Sequence, residues 1–367
     1  GAVFWMWITG VFGIATKYSE TFAAVKYRVK DHNGDMLGGA MYAWKRAFTD
    51  KAGNTPWWAL LGAGAFALFA AIASFGIGSA VQSSAMTEVI STNLPGVPAW
   101  GIGLAIVIMV SVVIFGGVKV ISNVCEKLVP FMAIAYIWGC VVILGMNWEL
   151  VWPAFCLIVE SAFTAKAAFG GPLGSGLMLA LQFGCARGLF SNEAGSGSAP
   201  CAAASADVVH PAKQGLIQSL GVFIDTLVIC SCSAFLMLLA PDSVIGGLEG
   251  MDLLQAAMNH HLGYFGVVFI AVILFLFSFS TFIGILYYAR PNVAYVFGDT
   301  WAAQTGYKIF CLAMLFIGGL AAYTFVWDLG DLGVGLMTIF NMFAILPLAS
   351  QALNALKDYE ANYMKKK

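Results

Sequence analysis

Long apolar runs follow one another along this chain, each separated from the next by a short polar or charged segment. A helix needs about 20 mainly apolar residues to cross a bilayer. Nine stretches reach that length: 2–27, 57–90, 99–116, 120–146, 172–195, 214–240, 263–287, 306–325 and 332–354. Two half-apolar stretches lie between them. Residues 149–168 carry Glu149, Pro153, Glu160 and Lys166, and residues 249–262 carry Glu249, Asp252, His260 and His261. Both read as helices lying in or near the interface. The pattern predicts an all-α integral membrane protein.

Charge sorts the connections into two sets. Taken on alternate sides, one set holds Lys26, Arg28, Lys30, Lys45, Arg46, Lys51, Lys119, Lys213, Arg290 and the tail Lys357, Lys365, Lys366 and Lys367. The other holds Lys166 with Glu149, Asp242, Glu249, Asp252, Asp328 and Asp331. Lys and Arg collect on the cytoplasmic side, so the first set is placed inside and the C-terminus with it. Residue 1 then falls near the outer side. Because it is Gly rather than Met and the apolar run starts at once, the chain is expected to lack its natural N-terminus.

Composition agrees with a membrane solvent. Apolar residues make up 60% and charged ones 10% of 367 residues, too few charges to wet a soluble surface. The net charge of −1 points to no polyanionic partner. The eight cysteines are scattered and read as small packing residues. All four histidines, His32, His210, His260 and His261, fall in loops or at interfaces, without the clustering that acid–base chemistry needs. A membrane enzyme is therefore disfavoured. An ion channel would call for a ring of carbonyls or charges that one chain with isolated polar groups does not suggest.

Polar groups at membrane depth are costly and mark function. The fifth run meets Gly184, Arg187 and Gly188 near its expected midplane, then Asn192, Glu193 and Gly195. This reads as a broken helix whose freed backbone groups face a solute; the competing reading is a helix that ends near Phe190. Arg187 is expected to pair with Glu193 or Asp225. Asp225, alone in the sixth run, must be paired, protonated or bound to a cation. A Na+ site and a bond to Arg187 explain it equally. Ser278, Ser280 and Thr281 offer hydroxyl ligands in the seventh run, unless they bond their own helix. Gln82 is a buried amide suited to a solute or to a neighbouring helix. Lys17 and Glu20, three apart, read as a structural pair.

These residues resemble a known family. GAVFWMWITGVFGIATKYSE (1–20), GLFSNEAGSGSAPCAAASA (188–206), HPAKQGLIQSLGVFIDTLVIC (210–230) and AVQSSAM (80–86) are similar to signature regions of the alanine or glycine:cation symporter family. The resemblance implies a Na+-coupled carrier of alanine or glycine in the cell membrane of a prokaryote, with H+ as the rival coupling ion. It implies the inverted-repeat fold of the amino acid–polyamine–organocation superfamily, five plus five helices, here with about nine spans and the first core helix missing upstream of Gly1. Residues 1–147 would be the remainder of the first repeat and 172–354 the second. The carry-over places the solute at Gln82, Phe183, Gly184 and Cys185, and Na+ at Ser280 and Thr281, with Asp225 a candidate for a second cation or for proton-sensitive gating.

Overall fold

A computed structural model describes residues 1–31, 34–163, 173–321 and 323–364. Lys166, His32 and the tail Lys365–Lys367 lie outside the described residues, as do the end of the 149–168 stretch and residue 172. The chain opens with α1 (Ala2–Lys26), followed by a hairpin of β1 (Val29–Lys30) and β2 (Met36–Leu37) and the short helix α2 (Ala40–Ala47). Next come α3 (Trp57–Ala73) and α4 (Gln82–Asn93), joined without a break by a π-helical stretch, Ser74–Val81. Then follow α5 (Ala99–Phe115), α6 (Val118–Met146), α7 (Trp148–Ser161), α8 (Leu173–Asn192) and α9 (Ala199–Ala203). A second π-helical stretch, Phe223–Ile229, joins α10 (Pro211–Val222) to α11 (Cys230–Leu238). The chain ends with α12 (Asp242–Ile245), α13 (Gly250–Leu262), α14 (Tyr264–Phe297), α15 (Trp301–Gly318), α16 (Tyr323–Ile345) and α17 (Ala349–Tyr359).

Five helical stretches among the described residues are long and apolar enough to cross a membrane: Trp57–Asn93, Val120–Met146, Pro211–Leu238, Tyr264–Phe297 and Phe325–Met364. The sequence pattern gives nine. The difference lies in helices whose apolar character is diluted, such as α1 with Lys17 and Glu20 and α8 with Arg187 and Asn192, and in α5, which is apolar but only 17 residues long. With 25 residues at about 1.5 Å each, α1 still matches the thickness of a hydrocarbon core. The interfacial stretches form α7 and α13. Helix α14 runs ten residues past the expected end at 287, through Pro291 to Phe297.

The surface carries what lipid would meet. Phe131, Ile134 and Trp138 of α6 are all about two-thirds exposed (64, 68 and 68%), which water would penalise and acyl chains do not. Exposed Trp57, Trp148, Tyr264 and Trp301 stand at helix ends, the position of an aromatic belt.

Inside, small residues set the packing, because lipid gives no hydrophobic drive between helices. Ala73 and Gly76 face Gly330 and Gly333 of α16, and a Cβ on Gly333 would stand 2.8 Å from that of Ala73. Gly318 of α15 lies against Ala80. Larger side chains fill the remaining space: Phe66, Trp44 and Met337 between α2, α3 and α16, and Ile106, Phe282 and Leu315 between α5, α14 and α15. The hairpin is tied to α14 by Arg290, whose guanidinium meets Asp31 at 2.6 Å and Asp35 at 3.0 Å.

Candidate functional site

The polar centre of the molecule begins with α1. This helix packs mainly against α8 and α10. Its Lys17 and Glu20 are only 3% and 2% exposed, and they pair at 3.5 Å as their spacing predicts. Both also reach across to the segment that follows α8. Lys17 donates to the carbonyls of Asn192 (3.1 Å) and Glu193 (3.2 Å). Glu20 accepts from the N–H groups of Gly195 (3.1 Å) and Gly197 (3.2 Å) and from the Asn341 amide (2.7 Å).

That segment is the real interruption. Helix α8 runs unbroken through Gly184 and Gly188 and ends at Asn192. Residues 193–198 then turn without helical structure before α9, and Ala194, Gly195, Ser196 and Gly197 are buried rather than looped into solvent. Gly195 (φ +99°) and Gly197 (φ +80°) supply left-handed backbone, and Glu193 (φ +53°) is the one non-glycine with that conformation among the described residues. Such a backbone costs a non-glycine residue about 1–3 kcal/mol and persists where its surroundings hold it. Here Lys17 and Glu20 do the holding.

The break expected near Gly184 is absent: α8 ends at Asn192, close to the end near Phe190 given by the competing reading, and runs into a buried turn. Gly184 serves packing instead: a Cβ there would stand 2.5 Å from the Ala2 carbonyl oxygen and the Trp5 Cβ of α1. Phe183 is 51% exposed and the Cys185 side chain is exposed as well. None of the three lines the central cavity. Arg187 pairs with Asp331 of α16, not with Glu193 or Asp225, and lies over the Trp327 ring at 4.5 Å.

A cavity of about 690 Å³ adjoins the interruption. Gln82, Asp225, Ser280 and Thr281 all line it, together with Lys17, Asn192, Glu193 and Tyr288. Asp225 sits in the second π-helical stretch, where its carboxylate accepts from Ser191 (2.7 Å) and Thr226 (3.2 Å). Asn192 donates to the Thr226 hydroxyl at 3.0 Å. Ser280 donates to the Phe277 carbonyl of its own helix at 2.9 Å, which leaves its oxygen lone pairs to accept or ligate. Ser278 is buried and outside the lining. Sequence reasoning missed Tyr288, and it missed the backbone bonds of Lys17, for which the Lys17–Glu20 pair within an apolar run was the visible signal.

The arrangement offers two carboxylates, several hydroxyls and amides and an interrupted backbone around a space of small-molecule size. Among the described residues there is no group of three or more His, Cys, Asp or Glu fit to hold a metal ion. The profile of the sodium:alanine symporter family matches residues 1–367.

The chain belongs to the sodium:alanine symporter family. It is a multi-pass membrane transporter and not an enzyme. A sodium/alanine symporter of Methanococcus maripaludis is 37% identical over 361 residues, covering 98% of this chain and 77% of that protein. A putative sodium/proton-dependent alanine carrier of Bacillus subtilis is 39% identical over 376 residues, 98% of this chain and 74% of the carrier. A probable sodium/glutamine symporter of the same organism is 39% identical over 360 residues, with 98% and 72% covered.

Proposed function

We propose that this symporter-family member carries a small neutral amino acid, alanine or glycine, into the cell with Na+ by alternating access. The observation that carries the reading is the convergence of Gln82, Asp225, Ser280 and Thr281 on one cavity beside the interruption after α8. Hard oxygen donors suit a small cation, so Na+ is assigned to Asp225, Ser280 and Thr281. The Gln82 amide and the polar backbone of residues 193–198 are left for the carboxylate and amino groups of the solute. Phe183, Gly184 and Cys185 are assigned to helix packing and the outer face of α8.

We place this chemistry in an inverted-repeat fold, with 1–147 belonging to the first repeat and 172–354 to the second. The close packing of α1 on α8, one from each part, supports that division. The C-terminus is assigned to the cytoplasm of a prokaryotic cell from the charge of the connections.

Uptake of radiolabelled alanine, glycine and glutamine by proteoliposomes tests the reading. An inward Na+ gradient should drive alanine and glycine uptake, and replacing Na+ with choline should remove it. Asp225→Asn should lower Na+-driven uptake at least about tenfold, equivalent to about 1.4 kcal/mol. A second reading, coupling to H+, is favoured by the two carboxylates of the cavity, Asp225 and Glu193, either of which could carry a proton. Uptake that follows an imposed pH gradient and ignores Na+ would select it and discard the first.

A further inference from the structure

A second, much smaller cavity adjoins the interruption and shares Glu193 and Tyr288 with the wide one. It is about 30 Å³, and its polar lining comes from Glu193, Ser196, Ser198, Ser74, Tyr288 and Asn292. That is room for one water molecule or one small ion. The Glu193 carboxylate stands 2.8 Å from the Ser198 hydroxyl, which is 2.8 Å from that of Ser196. Asn292 is 2% exposed, and its amide nitrogen is engaged by the Tyr288 carbonyl at 2.9 Å and the Cys201 sulfur at 3.6 Å. Its amide oxygen has no partner. A buried acceptor without a donor is costly, so its persistence asks for a cation or a donor in the cavity.

Charge points the same way. Around the interruption stand Lys17, Glu20, Glu193 and Asp225. Fully ionised, three carboxylates against one ammonium leave −2, and Arg187 does not help because Asp331 takes it. Uncompensated charge of that size is not tolerated at membrane depth, so protons or cations balance it. Two Na+ ions would restore neutrality. The wide cavity gives one of them a place at Asp225, which leaves Glu193 without a counter-ion.

We propose that this small cavity is a second Na+ site, with the Glu193 carboxylate, the Ser196 and Ser198 hydroxyls and the Asn292 amide oxygen as ligands. All are hard oxygen donors of the kind Na+ takes. The site rests on the Na+-coupled reading of the wide cavity and sets its stoichiometry at two Na+ per amino acid. Because Glu193 opens the interruption after α8 and Asn292 lies on α14, the ion bridges the interruption to a neighbouring helix.

Equilibrium binding of radioactive Na+ to the purified protein, together with the Na+:alanine flux ratio in proteoliposomes, tests the proposal. The unsubstituted protein should bind two Na+. Asn292→Ala should bind one, and Ser198→Ala should bind the second at least about tenfold more weakly. Asn292→Ser serves if Asn292→Ala does not fold. Asp225→Asn should also bind one, and the double variant with Asn292→Ala none. One Na+ in the unsubstituted protein, unchanged by Asn292→Ala or Asn292→Ser, means that the cavity holds only water and overturns the proposal. If uptake is then still driven by Na+ at a ratio of one, the transport reading stands without this site. Two bound Na+ with uptake indifferent to Na+ would keep the site and remove the coupling.

Discussion

Lys17 illustrates how much a single buried residue decides. Its ammonium touches the Glu20 carboxylate and two backbone carbonyls, in a setting where its side chain is 4% exposed and that of Glu20 1%. Removing one partner of a buried pair strands the other charge and costs about 3–5 kcal/mol. Lys17→Met is therefore expected to lower the melting temperature sharply in detergent. Lys17→Met combined with Glu20→Gln should lose less than the two single changes summed, because neither leaves a bare charge. The pairing itself was readable from the i,i+3 spacing. What it grips was not, since Asn192 and Gly195 lie 175 residues away in sequence. Arg187 shows the same limit: a charge at membrane depth announces the need for a partner, but only the packing of α8 against α16 selects Asp331 over Asp225.

Helices were legible by length and apolarity, their interruptions less so. Gly184 marks a close approach instead of a break, and glycine alone does not distinguish the two. Gly184→Val should push α1 from α8, with a loss of about 1–3 kcal/mol, measurable as a lower melting temperature. The π-helical stretches at Ser74–Val81 and Phe223–Ile229 carry no sequence signature of their own, although π-bulges recur at functional sites and one of them presents Asp225 here. Helix α13 supplies a pH effect. His261 donates from Nε2 to the Leu236 carbonyl at 3.0 Å and accepts at Nδ1 from Asn147 at 3.4 Å. Burial pushes its pKa below the ordinary 6.5, with the Leu236 carbonyl opposing and His260 adding to the shift. The unfolded chain then binds a proton more readily, so stability is complete above about pH 6.5 and falls as the pH drops below it. Melting curves between pH 7.5 and 5 should show that loss, and His261→Gln should flatten it.

At the scale of the whole molecule, charge on the connections gives an orientation. Asp50 lies in the Lys-rich set of connections and Asp242 in the acidic set, and both are exposed. A membrane-impermeant maleimide should label Asp50→Cys only from the cytoplasmic side and Asp242→Cys only from outside, measured against the unsubstituted protein. The reverse labelling would invert the topology. The succession of long apolar helices, with α7 and α13 between them, could be read before any coordinates, because lipid imposes one requirement on every segment. Which polar groups share a cavity could not, because that depends on which helices touch.

The grip of Lys17 and Glu20 on residues 192–197 has a mechanical meaning. A swing that opens one side of a carrier and shuts the other must choose which parts travel as cargo and which stay as frame. The hinge cannot run between α1 and the end of α8, for tearing them apart would strip the buried Lys17–Glu20 pair of its four hydrogen bonds to the backbone of residues 192–197. The first helix and the interruption therefore ride as one strut.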